Sequence, residues 1–512
     1  MQTTHSVFAE SPSVSRSSVW VGWYLVGFIL IVISLSFLFF SQQSLRLDEA
    51  QSLWQTSHTF TGMLKVVGQD VHVPLYHIIL HYWQFFFGND VFTARFLSLL
   101  FFVAVIPAMY LLGETLYGRR AGIMGALLVS VSPFLNWYGN EIRMYSLFTL
   151  LTILNQYFFV RIFKGRDMRG AWFGYGLTAL LGMYTHYFFG LVILTQIIFF
   201  AIHHEAFPRG SLARFLGIGA VVAIGFAPWL WWVYSLGAAE GMRPLLAAPT
   251  TTNVFNTFSQ FLFGFQDDHV NSLLVSLWPL AVLFGFLAMR RGQALSRETQ
   301  YLILAVFVPI LVVFAVSFVF QPIYLTRYLV IALPALYLVL VALTETYPKG
   351  LAFMVQSVFV MLMLCMLGVE IVSAAVPVKE EYRSVATFLA DHAKPQDVVV
   401  VSAPFTIYPM EYSYKGYASL ETLPVWDRAK TGAIPAYDPA KLPTEVTSLV
   451  KNHEVAWLVL SYDQGYEAEI RKYFDSHFER LYEKQFSPGL SLGAYKVRYD
   501  IPVVRADLKQ TK

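Results

Sequence analysis

Eleven apolar runs, each about as long as a bilayer is thick, constrain this chain more than any other feature. They fall near residues 19–40, 91–112, 121–138, 144–163, 171–187, 188–203, 214–236, 271–289, 300–320, 328–345 and 351–372, with short charged breaks between them. An α-helix rises about 1.5 Å per residue, so about 20 apolar residues cross the hydrocarbon core. Lipid offers no partner to a backbone N–H or C=O, so a chain of such runs must cross as helices that satisfy themselves. The pattern predicts a mostly α, polytopic membrane helix bundle of about 11 spans. Composition agrees: the 512 residues are 56% hydrophobic and 13% charged, against about 25% charged in soluble domains. The net charge of +3 gives no electrostatic basis for a nucleic-acid partner. Cys365 is the only cysteine, so the chain can form neither an internal disulfide nor a cysteine metal cluster. The first run is too long for a signal-peptide core and lacks a small-residue cleavage site, which predicts a retained helix. The serine-rich residues 1–18 ahead of it read as a disordered cytoplasmic tail.

Lys and Arg in the short breaks set the expected orientation. Alternate breaks carry Arg119 and Arg120, then Lys164, Arg166 and Arg169, then Arg209 and Arg214, then Arg290, Arg291 and Arg297, then Lys349. The opposite set is poorer, with Arg46, Lys65, Arg143, Arg243 and Arg327. The richer set is expected in the cytoplasm, and an odd number of spans puts the C-terminal region outside. From about Pro377 charges, prolines and turn residues appear throughout. DVVVVSA (397–403) and VAWLVLS (455–461) read as buried strands, with amphipathic helices near 379–394 and 464–480. The expected organisation is a membrane domain over 19–376 and a soluble α/β domain over 377–512, placed extracytoplasmically. No glycine-rich phosphate loop follows either strand, so no nucleotide site is expected there; a lid or docking module is. The outer stretches 41–90 and 237–271 are amphipathic, as short helices lying on the membrane surface would be.

The unusual polar residues collect on the outer side. LRLDEAQSLW (45–54) follows the first run and puts Asp48 and Glu49 at the membrane exit. Carboxylates there are costly unless paired or used, although a surface helix also favours acids in its first turn. HVPLYHIILH (72–81) brings His72, Tyr76, His77 and His81. The i, i+4 spacing of His77 and His81 suits one metal ion, and equally two histidines on an interfacial helix face. Asn140, Glu141, Arg143 and Tyr145 open the fourth run, and His186 and Tyr187 close the fifth. Glu141 and Arg143 either face the site, pair with each other or face water at the loop. Arg327 enters the tenth run, where arginine either snorkels to headgroups or clamps a phosphate with its planar fork.

The order of these pieces resembles the GT-C type, polyprenyl-phosphate-sugar-dependent glycosyltransferases, in particular the bacterial group related to protein O-mannosyltransferases and to lipid A aminoarabinose transferase. The carrying motifs are RLDEAQSLW, HVPLYHIILHYWQFFFGND leading to ARFLSLL, LYGRRAGIMGALLVSVSPFLNWYGNEIRMYSL, YTHYFFGL and LTRYLVIALPAL, over about 20–345. Val73-Pro74-Leu75-Tyr76 stands where the family often has Pro-Pro-Leu-Tyr. The resemblance implies an outer cavity with Asp48 as general base and Glu49 beside it in shaping or metal binding. The cavity would be lined by His72, Tyr76, Glu141, Tyr145, His186 and Tyr187, with Arg327 and Arg143 on the donor phosphate. Family members differ in whether a divalent metal is needed; here its ligands would be Asp48, Glu49, His77 and His81. The implied activity is inverting transfer of a sugar from a polyprenyl-phosphate donor to a lipid, glycan or protein acceptor on the extracytoplasmic side of the cell membrane. A lipid-linked glycan flippase or transporter, an oligosaccharide ligase and a non-catalytic glycan sensor are the competing readings. A transporter would show internal repeats and midplane charges; this chain concentrates its polar groups at one face.

Overall fold

The structure is a computed structural model and describes residues 16–70, 72–166, 168–237, 246–276, 279, 283, 295–373, 380–428 and 430–498. Helix α1 (Arg16–Gln42) fills the first apolar run and ends just ahead of the acidic motif. The amphipathic stretch behind it forms three short helices, α2 (Leu47–Thr56), α3 (Phe60–Gly68) and α4 (Leu75–Phe87), as its broken pattern predicts. In α2 the Glu49 carboxylate accepts from the Arg46 backbone N–H at 3.0 Å, satisfying an amide that the helix start leaves open.

Helix α5 (Val91–Tyr117) is capped by Asp90, whose Oδ1 accepts from Thr93 N at 2.9 Å. It packs closely against α6 (Arg119–Val131). Gly113 and Gly122 make that approach possible: a Cβ on Gly113 would lie 2.9 Å from the Gly122 Cα, and one on Gly122 2.7 Å from the Tyr110 carbonyl. The run expected as one span over 121–138 is bent. α6 and α7 (Pro133–Gly139) meet at 61°. Pro133 cannot continue the α6 ladder, and Ser132 starts the new helix by accepting from Leu135 N at 3.1 Å.

The bundle continues with α8 (Tyr145–Phe163), α9 (Met168–Met183), α10 (Phe189–His203) and α11 (Ser211–Ser235). Two short helices, α12 (Thr251–Phe263) and α13 (Asp268–Ser276), then precede α14 (Arg297–Val319). A 3-10 turn, Thr326–Ala332, leads into α15 (Leu333–Thr344), and α16 (Lys349–Val372) is the last long helix of the bundle. Eight described helices are long and apolar enough to cross a bilayer, or nine with the bent α6–α7 pair, against about eleven expected. Helix α9 has only 16 residues. The span expected at 271–289 lies outside the described residues from 277 onward, apart from 279 and 283.

The breaks sort onto two ends of the bundle. Lys164–Glu298 (3.2 Å), Arg120–Glu345 (3.8 Å), Tyr117–Thr299 (2.9 Å) and His203–Gln300 (2.9 Å) join the lysine- and arginine-rich breaks at one end. Asp48, Glu141, Arg143 and Arg327 meet at the other.

There the C-terminal region stands on α2. Helix α17 (Tyr382–His392) precedes β1 (Val398–Ser402), α18 (Ile407–Ser413), β2 (Ser419–Thr422), α19 (Leu442–Val450), β3 (Val455–Ser461), α20 (Glu467–His477), β4 (Glu479–Ser487) and β5 (Leu490–Lys496). The sheet order is β2-β1-β3-β5-β4. β1 runs parallel to β2 and β3, and β5 antiparallel to β3 and β4. The two strands expected from their apolar runs, β1 and β3, are the buried centre. The other three were not expected. β2 is four residues long and β4 (ERLYEKQFS) is largely exposed, so neither carries a strong apolar signal. The domain docks on α2 through rings: Trp54 lies 5.2 Å from Tyr408 of α18, and the Arg428 guanidinium sits 5.1 Å from Trp54 and 5.2 Å from Tyr408.

Candidate active site

Asp48 and Glu49 are neighbours in the first turn of α2, yet they face different partners. Glu49 is fully buried and points into the bundle. Arg95, from the second turn of α5, grips it bidentately, Nε to Oε1 at 2.8 Å and Nη2 to Oε2 at 2.6 Å. Ile142 N adds a bond at 3.2 Å. Arg95 also donates to the carbonyls of Gln43 and Ser44 at 3.1 and 3.0 Å, so it closes the α1–α2 turn onto α5. Burial alone raises a carboxyl pKa, but here Arg95 and the Arg46 amide overcome it and hold Glu49 ionised. With both oxygens engaged, Glu49 is a positioning residue.

Asp48 points instead to the cavity at the end of the bundle. Its Oδ2 accepts from Arg327 Nη1 at 2.7 Å, and its Oδ1 lies 3.6 Å from Arg143 Nη2. Burial works against its charge; Arg327, Arg143, His72 and Arg46 together outweigh that and lower its pKa. Arg143 is held in turn by Ser52 Oγ at 3.3 Å, one helical turn along α2. The Arg46 guanidinium sits over Trp137, 4.2 Å from the ring centroid, donates to the Trp137 carbonyl at 3.3 Å and stands 3.9 Å from Glu141. The bent α6–α7 pair is what delivers Trp137 and Tyr138 to this place.

These groups open into a cavity of about 420 Å³. Its floor is Arg46, Leu47, Asp48, Trp137, Tyr138, Glu141, Phe265 and Arg327; its roof comes from the C-terminal α/β region, with Glu380, Tyr462, Asp463 and Gly489 among the residues. Glu141 is 3% exposed and its Oε2 accepts no hydrogen bond. Burial, opposed by Arg46, raises its pKa to about 7. Glu380 behaves likewise: burial, opposed by the Tyr462 hydroxyl and Arg46, lifts it to about 7.

Of the residues expected to line the cavity, Glu141 does, and the others stand elsewhere. His72 is buried behind Asp48, where desolvation and Arg143 lower its pKa and keep the imidazole neutral. Tyr76 bonds Ser98 Oγ at 2.8 Å inside the bundle. Tyr145 is buried against Tyr138, with ring centroids 5.0 Å apart. His186 stacks on Phe148 at 4.7 Å and meets Tyr328 at a tilt, 5.0 Å away, and its Nδ1 accepts from Phe188 N. Tyr187 accepts from Trp229 Nε1 at 3.1 Å in a separate apolar cluster. All five are apolar-faced rings, and packing draws such rings into the bundle.

The expected metal ligands do not converge. Glu49 is taken by Arg95, the His81 Nδ1 sits 2.9 Å from the Thr56 carbonyl, and the His77 ring faces His72 at 5.6 Å. Among the described residues no three of His, Cys, Asp and Glu are grouped to hold a metal ion.

Several site residues had escaped sequence reasoning. Arg95 and Glu370 are ionisable groups inside apolar runs, and that alone is a signal of use. Glu370, in α16, is fully buried and accepts from Phe265 N. Gly264, at φ +71°, is needed there, because a Cβ would strike Glu370 and Pro133. This contact seats Phe265 at the cavity. Trp137, Tyr138, Glu380 and Tyr462 carried no local signal.

Residues 71–232 match the family model described as dolichyl-phosphate-mannose-protein mannosyltransferase. No curated protein sequence gives a significant match. Among solved structures, ArnT from Cupriavidus metallidurans in the apo state aligns with a TM-score of 0.60 at 13% identity, covering 94% of this chain and 98% of that one. The same protein bound to undecaprenyl phosphate gives 0.59 at 14% identity, with the same coverage of both chains. The Archaeoglobus fulgidus oligosaccharyltransferase in complex with Zn and sulfate gives 0.52 at 13% identity, covering 94% of this chain and 74% of that one. The chain therefore has the fold of the GT-C type membrane glycosyltransferases, as its motifs led one to expect.

Proposed function

We propose that this protein is an integral-membrane, inverting glycosyltransferase that moves a sugar from a polyprenyl-phosphate donor to an acceptor hydroxyl on the extracytoplasmic side. The observation that carries the reading is the convergence of Arg327 and Arg143 on one carboxylate, Asp48, at the wall of a cavity that Arg46 also lines, at the end of the bundle away from the lysine- and arginine-rich breaks. Positive-inside logic puts that end outside.

The chemistry follows from the residue types. An acceptor O–H attacks the anomeric carbon as the bond from that carbon to the phosphate oxygen breaks. The leaving polyprenyl phosphate gains one negative charge, and the acceptor loses one proton. Arg327 and Arg143 stabilise the charge where it develops. Asp48 takes the proton as general base. Both arginines hold Asp48 before a donor arrives. A donor phosphate competes for the same guanidinium groups and draws them off the carboxylate. Freed of its counter-ions and set beside an anion, Asp48 becomes more basic when the acceptor needs it. Arg327 and Arg143 supply positive charge where the leaving phosphate develops its negative charge.

The test is release of free polyprenyl phosphate by purified protein supplied with polyprenyl-phosphate sugars and membrane acceptors. Wild type should release it in an acceptor-dependent manner and Asp48→Asn should not. Equal release by both would remove Asp48 from the chemistry.

A further inference from the structure

The roof of the cavity is built differently from its floor. Much of it comes from the carboxyl end of one parallel strand: Ser461 ends β3, Tyr462 and Asp463 follow, and Glu467 opens the next helix, while Pro488 and Gly489 come from the β4–β5 turn. Open α/β sheets bind ligands at that edge. The roof has no Lys or Arg among its lining residues, whereas Glu380, Asp463 and Glu467 all contribute. The arginines that suit a phosphate stand on the floor.

Two carboxyl oxygens in the cavity wall, Oε2 of Glu141 and Oε2 of Glu380, are buried without a hydrogen-bond partner. Buried polar atoms in folded proteins are nearly always paired, so such atoms at a cavity wall point to a ligand that pairs them. Glu380 is also structurally fixed. Its carbonyl accepts from Ser44 Oγ at the entry to α2, and its carboxyl bonds the Tyr462 hydroxyl. Tyr462 reaches it from a left-handed backbone, φ 56°, a conformation unfavourable for a tyrosine and typical of binding sites. Asp463 Oδ1 is spent on the amides of Gly465 and Glu467, at 2.8 and 3.2 Å, and Glu467 pairs with Arg471 at 3.1 Å. Glu380 and Glu141 are therefore the roof and floor groups with capacity left. Between them lie the faces of Trp137 and Tyr138.

We infer that this half of the cavity is the acceptor subsite and that it takes a carbohydrate ring, with Glu141 and Glu380 bonding its hydroxyls and Trp137 or Tyr138 covering an apolar face. The reading rests on the proposed glycosyltransferase activity and adds the acceptor class. Carboxyl groups match the alternating donors and acceptors of vicinal hydroxyls. At about 420 Å³ the cavity is near the small end of ligand pockets, which run from roughly 300 to 1,000 Å³. That holds sugar rings and excludes a folded polypeptide.

Saturation-transfer NMR on the full-length protein in detergent tests this. The probes are the methyl glycosides of a neutral hexose, a pentose and an amino sugar, with a Ser/Thr-rich peptide as the competing class. Undecaprenyl phosphate is titrated in parallel. Wild type should transfer saturation to the ring protons of at least one glycoside. Glu380→Gln and Tyr462→Phe should weaken that binding about tenfold and leave undecaprenyl phosphate affinity unchanged; their thermal midpoints report folding. The carbohydrate subsite is overturned if no glycoside binds while undecaprenyl phosphate does, if the peptide displaces the glycosides, or if both folded variants bind glycoside like wild type. Failure of undecaprenyl phosphate to bind wild type would instead overturn the parent reading.

Discussion

Asp48→Asn should do two opposite things: abolish sugar transfer and tighten binding of the lipid phosphate. The first follows from losing the proton acceptor, which contributes on the order of 10²–10⁴ in rate. The second follows from the resting ion pairs. Asp48 occupies Arg327 through a charge-assisted bond of 2.7 Å and Arg143 at 3.6 Å. A phosphate entering the wild-type site must displace that internal anion. A hydrogen bond to a charged group contributes about 1.5–3 kcal/mol, and Asn keeps the shape without the charge. With 1.36 kcal/mol per factor of ten, undecaprenyl phosphate should bind Asp48→Asn roughly 10- to 100-fold more tightly. Side-chain exposure of 31% at Arg327 favours the lower end, because solvent screens part of the pair. Titration of purified wild type and variant with undecaprenyl phosphate, followed by isothermal calorimetry, reads this directly. Unchanged or weaker binding by a folded Asp48→Asn protein would refute the exchange of partners and favour a role for Asp48 in holding the donor.

Other outcomes follow from the same contacts. Arg327→Ala should weaken donor binding tenfold or more, and Arg327→Lys less, since it keeps charge but loses the fork; if Arg327 only anchors to headgroups, affinity in detergent will be unchanged. Glu49→Gln should destabilise more than any substitution at Asp48, by about 3–5 kcal/mol, because it leaves Arg95 buried and unpaired; thermal unfolding with a rescue attempt by Arg95→Met checks it. Glu141 and Glu380 have folded pKa values raised from 4.5 to about 7. Their neutral forms favour folding, so this contribution is complete below about 4.5 and is lost as pH rises through about 7. The groups facing them are Arg46, Asp48, Glu49 and Arg327 around Glu141, and Tyr462, Arg46 and Asp48 around Glu380. The thermal midpoint should fall between pH 5 and 7.5 in wild type, and less in the double variant Glu141→Gln, Glu380→Gln. Equal slopes would refute the burial of two neutral acids.

The membrane bundle was legible because lipid forces a one-dimensional signal: an apolar run of sufficient length has no other stable conformation. The signal fails where a run does two jobs. Residues 121–138 read as one span, yet Pro133 bends them so that Trp137 and Tyr138 reach the cavity. Asp48, Glu141, Arg143 and Arg327 were legible as polar groups at predicted outer ends, and they do meet. The aromatic and histidine candidates were not separable by sequence, since His186 and Tyr76 satisfy the same pattern whether they face a cavity or a neighbouring ring. Glu380 and Tyr462 lie far apart in the chain and carry no motif. Only the docking of the C-terminal α/β region on α2 brings them over the site.

Lipid mass spectrometry of cells whose only copy carries Asp48→Asn bears on the central claim most directly. If this protein consumes a polyprenyl-phosphate sugar at Asp48, one such lipid should accumulate relative to wild type and the corresponding glycosylated acceptor should disappear. A polyprenyl-phosphate sugar pool identical to wild type, with the variant protein folded and present in the membrane, would contradict the account.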